Sequence, residues 1–237
     1  MSTTQQPRTK ARRYGMVIDI DRCSGCGACV LACAAENNVP PAPEKANDRN
    51  SVTLIRVASL SDGDGHNAFM PMMCMQCGHE TPCVSVCPQQ AVELDPVTGI
   101  VAQMPQRCLG CRYCMTACPY HARSFNWYDP VWPAGMEVSL NPRVAPRMRG
   151  VVEKCDFCHG RLHEATDAGA TKYTPACVEA CPSRAIQFGE DLDVTGTFVW
   201  LEKLDTQPKV RYRTRKPWLK AMAQRGGAAP RKEVRNG

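Results

Sequence analysis

The feature that most constrains this chain is the spacing of its 16 cysteines. In one stretch, Cys108, Cys111, Cys114 and Cys118 follow C-x2-C-x2-C-x3-C and are closed by Pro119. Such a run is typical of [4Fe–4S] binding, in which three thiolates hold one cluster and the fourth reaches a second cluster. Soft thiolate ligands also favour iron–sulfur chemistry. The spacing therefore predicts a loop-rich fold held together by metal.

The cysteines form four such runs, which we number in chain order. Run 1 is Cys23, Cys26, Cys29 and Cys33; run 2 is Cys74, Cys77, Cys83 and Cys87; run 3 is Cys108, Cys111, Cys114 and Cys118; run 4 is Cys155, Cys158, Cys177 and Cys181. Proline follows the last cysteine of every run except run 1. Four runs predict four clusters.

Other uses of the cysteines fit less well. Zinc sites use paired C-x2-C units, which the triplets do not match. Disulfide scaffolds are usual in short secreted chains, and we expect no export signal here, because only a short apolar stretch follows Arg12 and Arg13. Residues 155–159, CDFCH, match a c-type haem attachment motif, but the run 4 cluster needs both cysteines.

Charge has to be read with the metal included. The formal net charge is +6. Each oxidised cluster with its thiolates would carry roughly −2, which brings the total to about −2. The basic composition therefore does not predict nucleic-acid binding, and we expect no nucleic-acid partner. The alternative of a basic nucleic-acid binder would show a steep loss of affinity with salt.

Short elements are predicted around the runs. Ala91–Leu94 and Ile100–Gln103 predict a hairpin between runs 2 and 3, the link that a two-cluster ferredoxin uses. The other predicted elements are strands at Met16–Ile20, Val52–Val57, Ala122–Trp127 and Ala185–Phe188, and helices at Cys29–Asn37 and Cys155–Ala168.

The fold class predicted from these elements is α+β, with two nested bacterial ferredoxin-like (two-cluster) modules, loop insertions and an extended C-terminal tail. Because the hairpin pairs runs 2 and 3, runs 1 and 4 pair around them. The expected organisation is a basic N-terminal arm (1–15), an outer module (16–70 and 150–202), an inner module (71–128), an insertion (129–149) and a basic tail (203–237).

The tail from Lys203 onward has 11 Lys or Arg against two acids, and Trp218 and Leu219 are its main apolar residues. We expect too little burial for such a segment to order itself. We predict that it wraps a larger partner subunit, with residues 207–213 lying extended against that partner.

Several side chains near the runs have two interpretations. The methionines around run 2 favour packing over copper binding (Met70, Met72, Met73 and Met75). The cations Lys154, Arg112 and Arg107 either raise cluster potentials or are solvated surface. His159 and His163 lie four residues apart on a predicted helix without a visible third metal ligand, which favours a surface pair.

Five stretches together resemble the four-cluster iron–sulfur subunits of the molybdopterin (dimethyl sulfoxide reductase) superfamily complexes, of the polysulfide, tetrathionate and nitrite reductase type. The menaquinone reductase complex of sulfate reducers contains a subunit of this kind. The stretches are YGMVIDIDRCSGCGACVLACAAENNVP (14–40), PCVSVCPQQAV (82–92), RCLGCRYCMTACPYHARSFN (107–126), EKCDFCHGRL (153–162) and ACVEACPSRAIQFG (176–189). Gln76 departs from the family, since many relatives have His there.

The resemblance implies four ligand sets that hold iron through cysteine. Cluster 1 takes Cys23, Cys26, Cys29 and Cys181; cluster 2 takes Cys33, Cys155, Cys158 and Cys177; cluster 3 takes Cys74, Cys77, Cys83 and Cys118; cluster 4 takes Cys87, Cys108, Cys111 and Cys114. With every cysteine used, no iron keeps an open position for substrate. The alternative, an autonomous iron–sulfur enzyme, would need a cluster with a non-cysteine ligand.

The function implied by the resemblance is non-catalytic transfer of single electrons in a respiratory complex of anaerobic respiration. The expected partners are a large redox subunit of the molybdopterin superfamily and an integral-membrane quinone-interacting subunit, with a multihaem cytochrome as a further redox partner. We expect the chain on the periplasmic face of the bacterial inner membrane, exported folded with a signal-bearing partner; the cytoplasmic face is the alternative.

Overall fold

The computed structural model describes residues 14–225, apart from residues 48, 146 and 171. The strands are β1 (Gly15–Asp19), β2 (Ile55–Ser61), β3 (Asn67–Met73), β4 (Val92–Leu94), β5 (Val101–Gln103), β6 (Ser124–Phe125), β7 (Val152–Glu153), β8 (Ile186–Gly189) and β9 (Val210–Arg213). The helices are α1 (Ala28–Glu36), α2 (Pro82–Ser85), α3 (Tyr113–Ala117), α4 (His159–Asp167), α5 (Ala176–Glu179) and α6 (Pro217–Gln224). Of the N-terminal arm, residues 1–13 lie outside this description.

Strand pairing brings the first and last cysteine runs together. The strand β1 leads into run 1 and pairs antiparallel with β8, which follows run 4, with Ile18 opposite Ile186. Next to this pair, the ring of Tyr14 stacks on that of Phe188 at 5.4 Å. The helices α1 and α5, which carry cysteines of these two runs, also pack against each other. Residues far apart in the chain thus become neighbours.

Runs 2 and 3 are neighbours through the predicted hairpin, which is confirmed. The strands β4 and β5 pair antiparallel, with Leu94 opposite Val101. The turn is closed by the amide of Gly99, which donates to the Asp95 carbonyl at 2.8 Å, and by the Thr98 hydroxyl, which contacts the Asp95 carboxylate at 2.6 Å. The helices α2 and α3 pack on each other beside this hairpin.

A second hairpin, β2–β3, supplies much of the core. The predicted strand at 52–57 is observed somewhat later, at β2, and its partner β3 was not predicted. The four methionines beside run 2 are each at most 1% exposed, so their predicted packing role is confirmed (Met70, Met72, Met73 and Met75). Their flexible thioethers fill the irregular space beside the cysteine runs.

The C-terminal segment is ordered within the chain itself up to Arg225. The strand β9 pairs parallel with β1, and its Val210 and Tyr212 are fully buried. In α6, Leu219 is also fully buried. The expectation of a tail unable to order itself is therefore wrong for residues 203–225, because alternating apolar side chains and backbone pairing with β1 stabilise it. Residues 226–237 lie outside the described part.

Asp21 binds the residues that precede α6 through hydrogen bonds. Its carboxylate accepts hydrogen bonds from the Thr214 hydroxyl and the Arg215 amide, each at 2.7 Å, and from the Lys216 ammonium at 3.3 Å. Partial burial would raise the pKa of Asp21, but these donors outweigh it and lower the pKa from 3.8 to about 2. The contact is thus stabilising above pH 3.8 and is lost as the pH falls through about 2.

Candidate metal centres

Each C-x2-C pair contains the same backbone turn. Its third residue has a positive φ in all four runs: Gly25 (76°), Gln76 (50°), Gly110 (73°) and Phe157 (60°). Glycine adopts this conformation without strain, and a side chain at Gly110 would collide with the carbonyl of Gly150. Gln76 and Phe157 are held in the same conformation by burial, at 0% and 1% exposure.

The last cysteine of each run receives a hydrogen bond from the residue four positions later. The amides of Ala91 and Ala185 donate to the Sγ atoms of Cys87 and Cys181 at 3.2 and 3.3 Å. In run 3, the amide of Ala122 makes the same bond to Cys118. In these runs the proline ends the helix, and the residue two positions beyond it has a positive φ, which places the next amide at the sulfur (Gln90, His121 and Arg184).

In run 1 the last cysteine, Cys33, also has a hydrogen-bond donor at its sulfur, but a side chain supplies it. No proline follows Cys33, so α1 continues to Glu36. The backbone amide of Asn37 donates to the carbonyl of Cys33, and its side-chain amide contacts the Cys33 sulfur at 3.5 Å. All four of these cysteines therefore have a hydrogen-bond donor at sulfur, which suits an anionic thiolate ligand.

The structure brings the cysteines together in groups of four, each combining two runs. Three groups line separate small cavities: Cys33, Cys155, Cys158 and Cys177; Cys74, Cys77, Cys83 and Cys118; Cys87, Cys108, Cys111 and Cys114. The fourth group is Cys23, Cys26, Cys29 and Cys181. In it, the other three cysteines are close enough to raise the pKa of Cys29.

Burial makes several of these thiols, among them Cys29 and Cys177, poor acids without metal. Burial and the neighbouring thiols raise the pKa of Cys29 to about 11 and the pKa of Cys177 to about 12. Iron binding has to displace those protons, since the ligand is the thiolate. The cysteine groups and their amide donors thus fit a thiolate-bound iron–sulfur cluster.

A buried polar junction joins the Cys155 group to the Cys74 group. Gln76 lies between Cys74 and Cys77, and its side-chain amide donates to the Cys155 carbonyl at 2.9 Å. Its oxygen accepts from the Val101 amide at 2.7 Å. Gln76 therefore makes a buried contact between runs 2 and 4.

Lys154 lies at the same junction. It is 4% exposed, and its ammonium donates to the carbonyls of Val101 and Cys155. The solvated-surface interpretation of Lys154 is therefore wrong. Arg107 and Arg112 are exposed, and Arg112 lies over the Trp127 ring at 4.7 Å.

Two residues of the C-terminal segment also reach this region. Thr206 hydrogen-bonds to the Cys77 thiol and, at 2.6 Å, to the Tyr120 hydroxyl. The Lys209 ammonium donates to the carbonyl of Gln76 at 3.0 Å. None of these contacts was predicted, because at least 86 residues separate the partners and no local pattern signals them.

The two histidines of α4 remain a pair. Their rings are 4.3 Å apart. In the described part of the chain, no three His, Cys, Asp or Glu side chains are placed to share a single metal ion. The cysteines of the haem-like CDFCH stretch line the cavity shared with Cys33 and Cys177.

Among residues 14–225 as described, no helix has the length and apolar character needed to cross a bilayer.

Comparison with known proteins agrees with this chemistry. Residues 22–92 and 66–134 each match a model of a 4Fe-4S dicluster domain. The chain is 44% identical to the menaquinone reductase iron–sulfur cluster-binding subunit of Nitratidesulfovibrio vulgaris, over 89% of this chain and 92% of that one. It is 41% identical to the Hdr-like menaquinol oxidoreductase iron–sulfur subunit 1 of Archaeoglobus fulgidus, over 72% and 66%. It is 36% identical to the arsenate respiratory reductase iron–sulfur subunit ArrB of Shewanella sp., over 76% and 82%.

The 16 cysteines, the two dicluster matches and these relatives point to the same cofactor and role. The chain has four [4Fe–4S] clusters. It belongs to the family of iron–sulfur electron-transfer subunits of reductase complexes, which are not the catalytic subunits of those complexes.

Proposed function

We propose that the chain conducts single electrons along a linear series of clusters, from cluster 1 at one end to cluster 4 at the other. The carrying observation is the exposure of one cysteine at each end, Cys26 and Cys111. The cysteines proposed for clusters 2 and 3 are all buried or half-buried. Such a gradient leaves the two ends accessible to partners and insulates the middle.

The proposed order follows from shared elements. Cys29 and Cys33, in α1, belong to the sets of clusters 1 and 2. Clusters 3 and 4 are linked in the same way, because Cys118 directly follows α3, which carries Cys114. The remaining link, from cluster 2 to cluster 3, is the contact between Gln76 and Cys155. Each ligand set and the nested arrangement of the two modules are parts of this proposal.

The chain's own contribution is to hold, space and insulate the clusters. The clusters, when bound, supply one-electron chemistry. All 16 cysteines are assigned, so no ligand position is proposed for substrate. Buried donors such as Gln76 and Lys154 fix the junction between neighbouring sets. Substrate chemistry therefore belongs to another subunit.

The proposed partners are a large redox subunit of the molybdopterin type at one end and a quinone-linked membrane subunit at the other. Support comes from the names of two relatives, subunits of a menaquinone reductase and of an arsenate respiratory reductase. We also propose peripheral attachment at the periplasmic face of the inner membrane. The predicted wrapping of a partner by the tail is not part of this proposal, because β9 and α6 pack on this chain and residues 226–237 lie outside the described part.

Iron and sulfide analysis tests the number and kind of clusters. Anaerobically purified protein should contain about 16 iron and about 16 inorganic sulfide per chain, because each of four clusters contains four of each. A value near 12 iron would mean that one cluster is missing or that the clusters are incomplete. Zinc in whole-number ratio to the chain would contradict the assignment.

A further inference from the structure

Arg123 is a buried cation between two cysteine groups. It is 7% exposed, and its Nη1 donates to the Cys114 sulfur at 3.1 Å and to the side-chain oxygen of Gln103 at 3.0 Å. The same side chain lines the cavity of the other group, which contains Cys74, Cys77, Cys83 and Cys118. A single guanidinium therefore touches the proposed site of cluster 4 and borders that of cluster 3.

Burial alone would lower the pKa of Arg123, but nearby cysteines of these two groups raise it, namely Cys83, Cys114, Cys74 and Cys118. Burying a guanidinium without an anionic partner is costly. In addition, its Nη2 is buried and has no hydrogen-bond partner among the protein atoms. A buried cation with an unused donor beside two cysteine-lined cavities calls for negative charge in those cavities.

We propose that Arg123 is a shared counter-charge that raises the reduction potentials of clusters 3 and 4 together. This inference rests on the proposed function and on its ligand sets. Reduction adds one negative charge to a cluster, so a nearby buried cation stabilises the reduced form. Because the same guanidinium faces both sites, it also offsets part of the repulsion between the two clusters when both are reduced.

Nearby cations provide the contrast. Arg107 directly precedes the cluster 4 ligand Cys108 in the chain but is exposed, so water and salt screen its charge. Lys154 is buried and its charge also acts on Cys83, but its ammonium donates to the backbone carbonyls of Val101 and Cys155 and not to a cysteine sulfur. Arg107 is thus the matched control, a cation close to the same cluster without burial.

The test is an EPR-monitored redox titration of the anaerobic holoprotein, wild type against Arg123→Gln, Arg123→Lys and Arg107→Gln. The signals of clusters 3 and 4 are first identified from the variants Cys77→Ser and Cys111→Ser. In Arg123→Gln, the ratio of reduced to oxidised form at a fixed potential should fall at least tenfold for both clusters, equivalent to 59 mV for one electron. Clusters 1 and 2, and all four clusters of Arg107→Gln, should change less than threefold.

Several results would overturn the proposal: a shift confined to one cluster, an equal shift of all four, no shift, or an effect of Arg107→Gln as large as that of Arg123→Gln. If Arg123→Gln loses iron, Arg123→Lys decides the matter. Wild-type iron content with both potentials within 59 mV of wild type supports a shared charge. Iron loss in that variant as well shows a purely structural role. Wild-type protein without four signals would instead contradict the proposed function.

Discussion

Replacing Cys118 with Ser is expected to damage the cluster held by run 2 and to spare the one held by the rest of run 3. The reason is the cavity that Cys118 lines, which it shares with Cys74, Cys77 and Cys83. Cys118 is only four residues from Cys114, yet that residue lines a different cavity. The measurement is EPR of the reduced protein together with iron analysis, and up to about four iron per chain should be lost.

The mirror variant Cys87→Ser is the control. Cys87 is the last cysteine of run 2 but shares a cavity with Cys108, Cys111 and Cys114. It should therefore damage the other cluster of the pair. If each variant instead loses the cluster of its own run, the fourth ligands are not exchanged and the proposed sets are wrong.

Truncation after Leu204 is expected to unfold the part of the chain that surrounds run 1. The deletion removes β9, which pairs with β1, and the buried Leu219 of α6. It also removes Thr206 and Lys209, which reach Cys77 and Gln76. Loss of a buried strand and helix exceeds what one small domain can lose and remain folded. Circular dichroism and iron content should both fall below those of the full chain.

A milder variant and two controls sharpen this prediction. Asp21→Asn removes a charged acceptor, and hydrogen bonds to charged groups contribute about 1.5–3 kcal/mol each, so trypsin should cut the anaerobic protein faster near Arg215. Asp193→Asn removes an exposed partner of Arg213 and should change little. Truncation after Arg225 removes none of the described contacts and should keep all iron. A chain ending at Leu204 with full iron content and wild-type melting would contradict the structural role of the segment.

Much of the fold could be predicted from local patterns in the sequence. The cysteine spacing signals the cluster runs, and the Asp95–Gly99 turn between two short apolar stretches signals the β4–β5 hairpin. The helix over run 1 was also predicted, because no proline interrupts it before Glu36. These features depend on neighbours in the chain, which the sequence displays directly.

Long-range contacts could not be read in the same way. The C-terminal segment is folded because it pairs with β1, almost 200 residues earlier in the chain. The many Lys and Arg residues of the segment made it resemble a solvated tail, although Val210 and Tyr212 are buried. Lys154 reads as a surface residue until its position between Val101 and Cys155 is known. Arg123 carries no local signal either, since its importance comes from two cysteine groups that meet only in the fold.

The most direct test of the central claim is to interrupt the series in its middle. The variant Cys77→Ser should remove cluster 3 while both exposed ends stay available, at Cys26 and Cys111. The measurement is freeze-quench EPR of the purified complex after addition of a menaquinol analogue, with co-purification of the partners and about 12 iron per chain as controls. The account predicts that clusters on only one side of the break are reduced and that turnover through the complex stops. Reduction of clusters on both sides with unchanged turnover would contradict a single series of electron carriers.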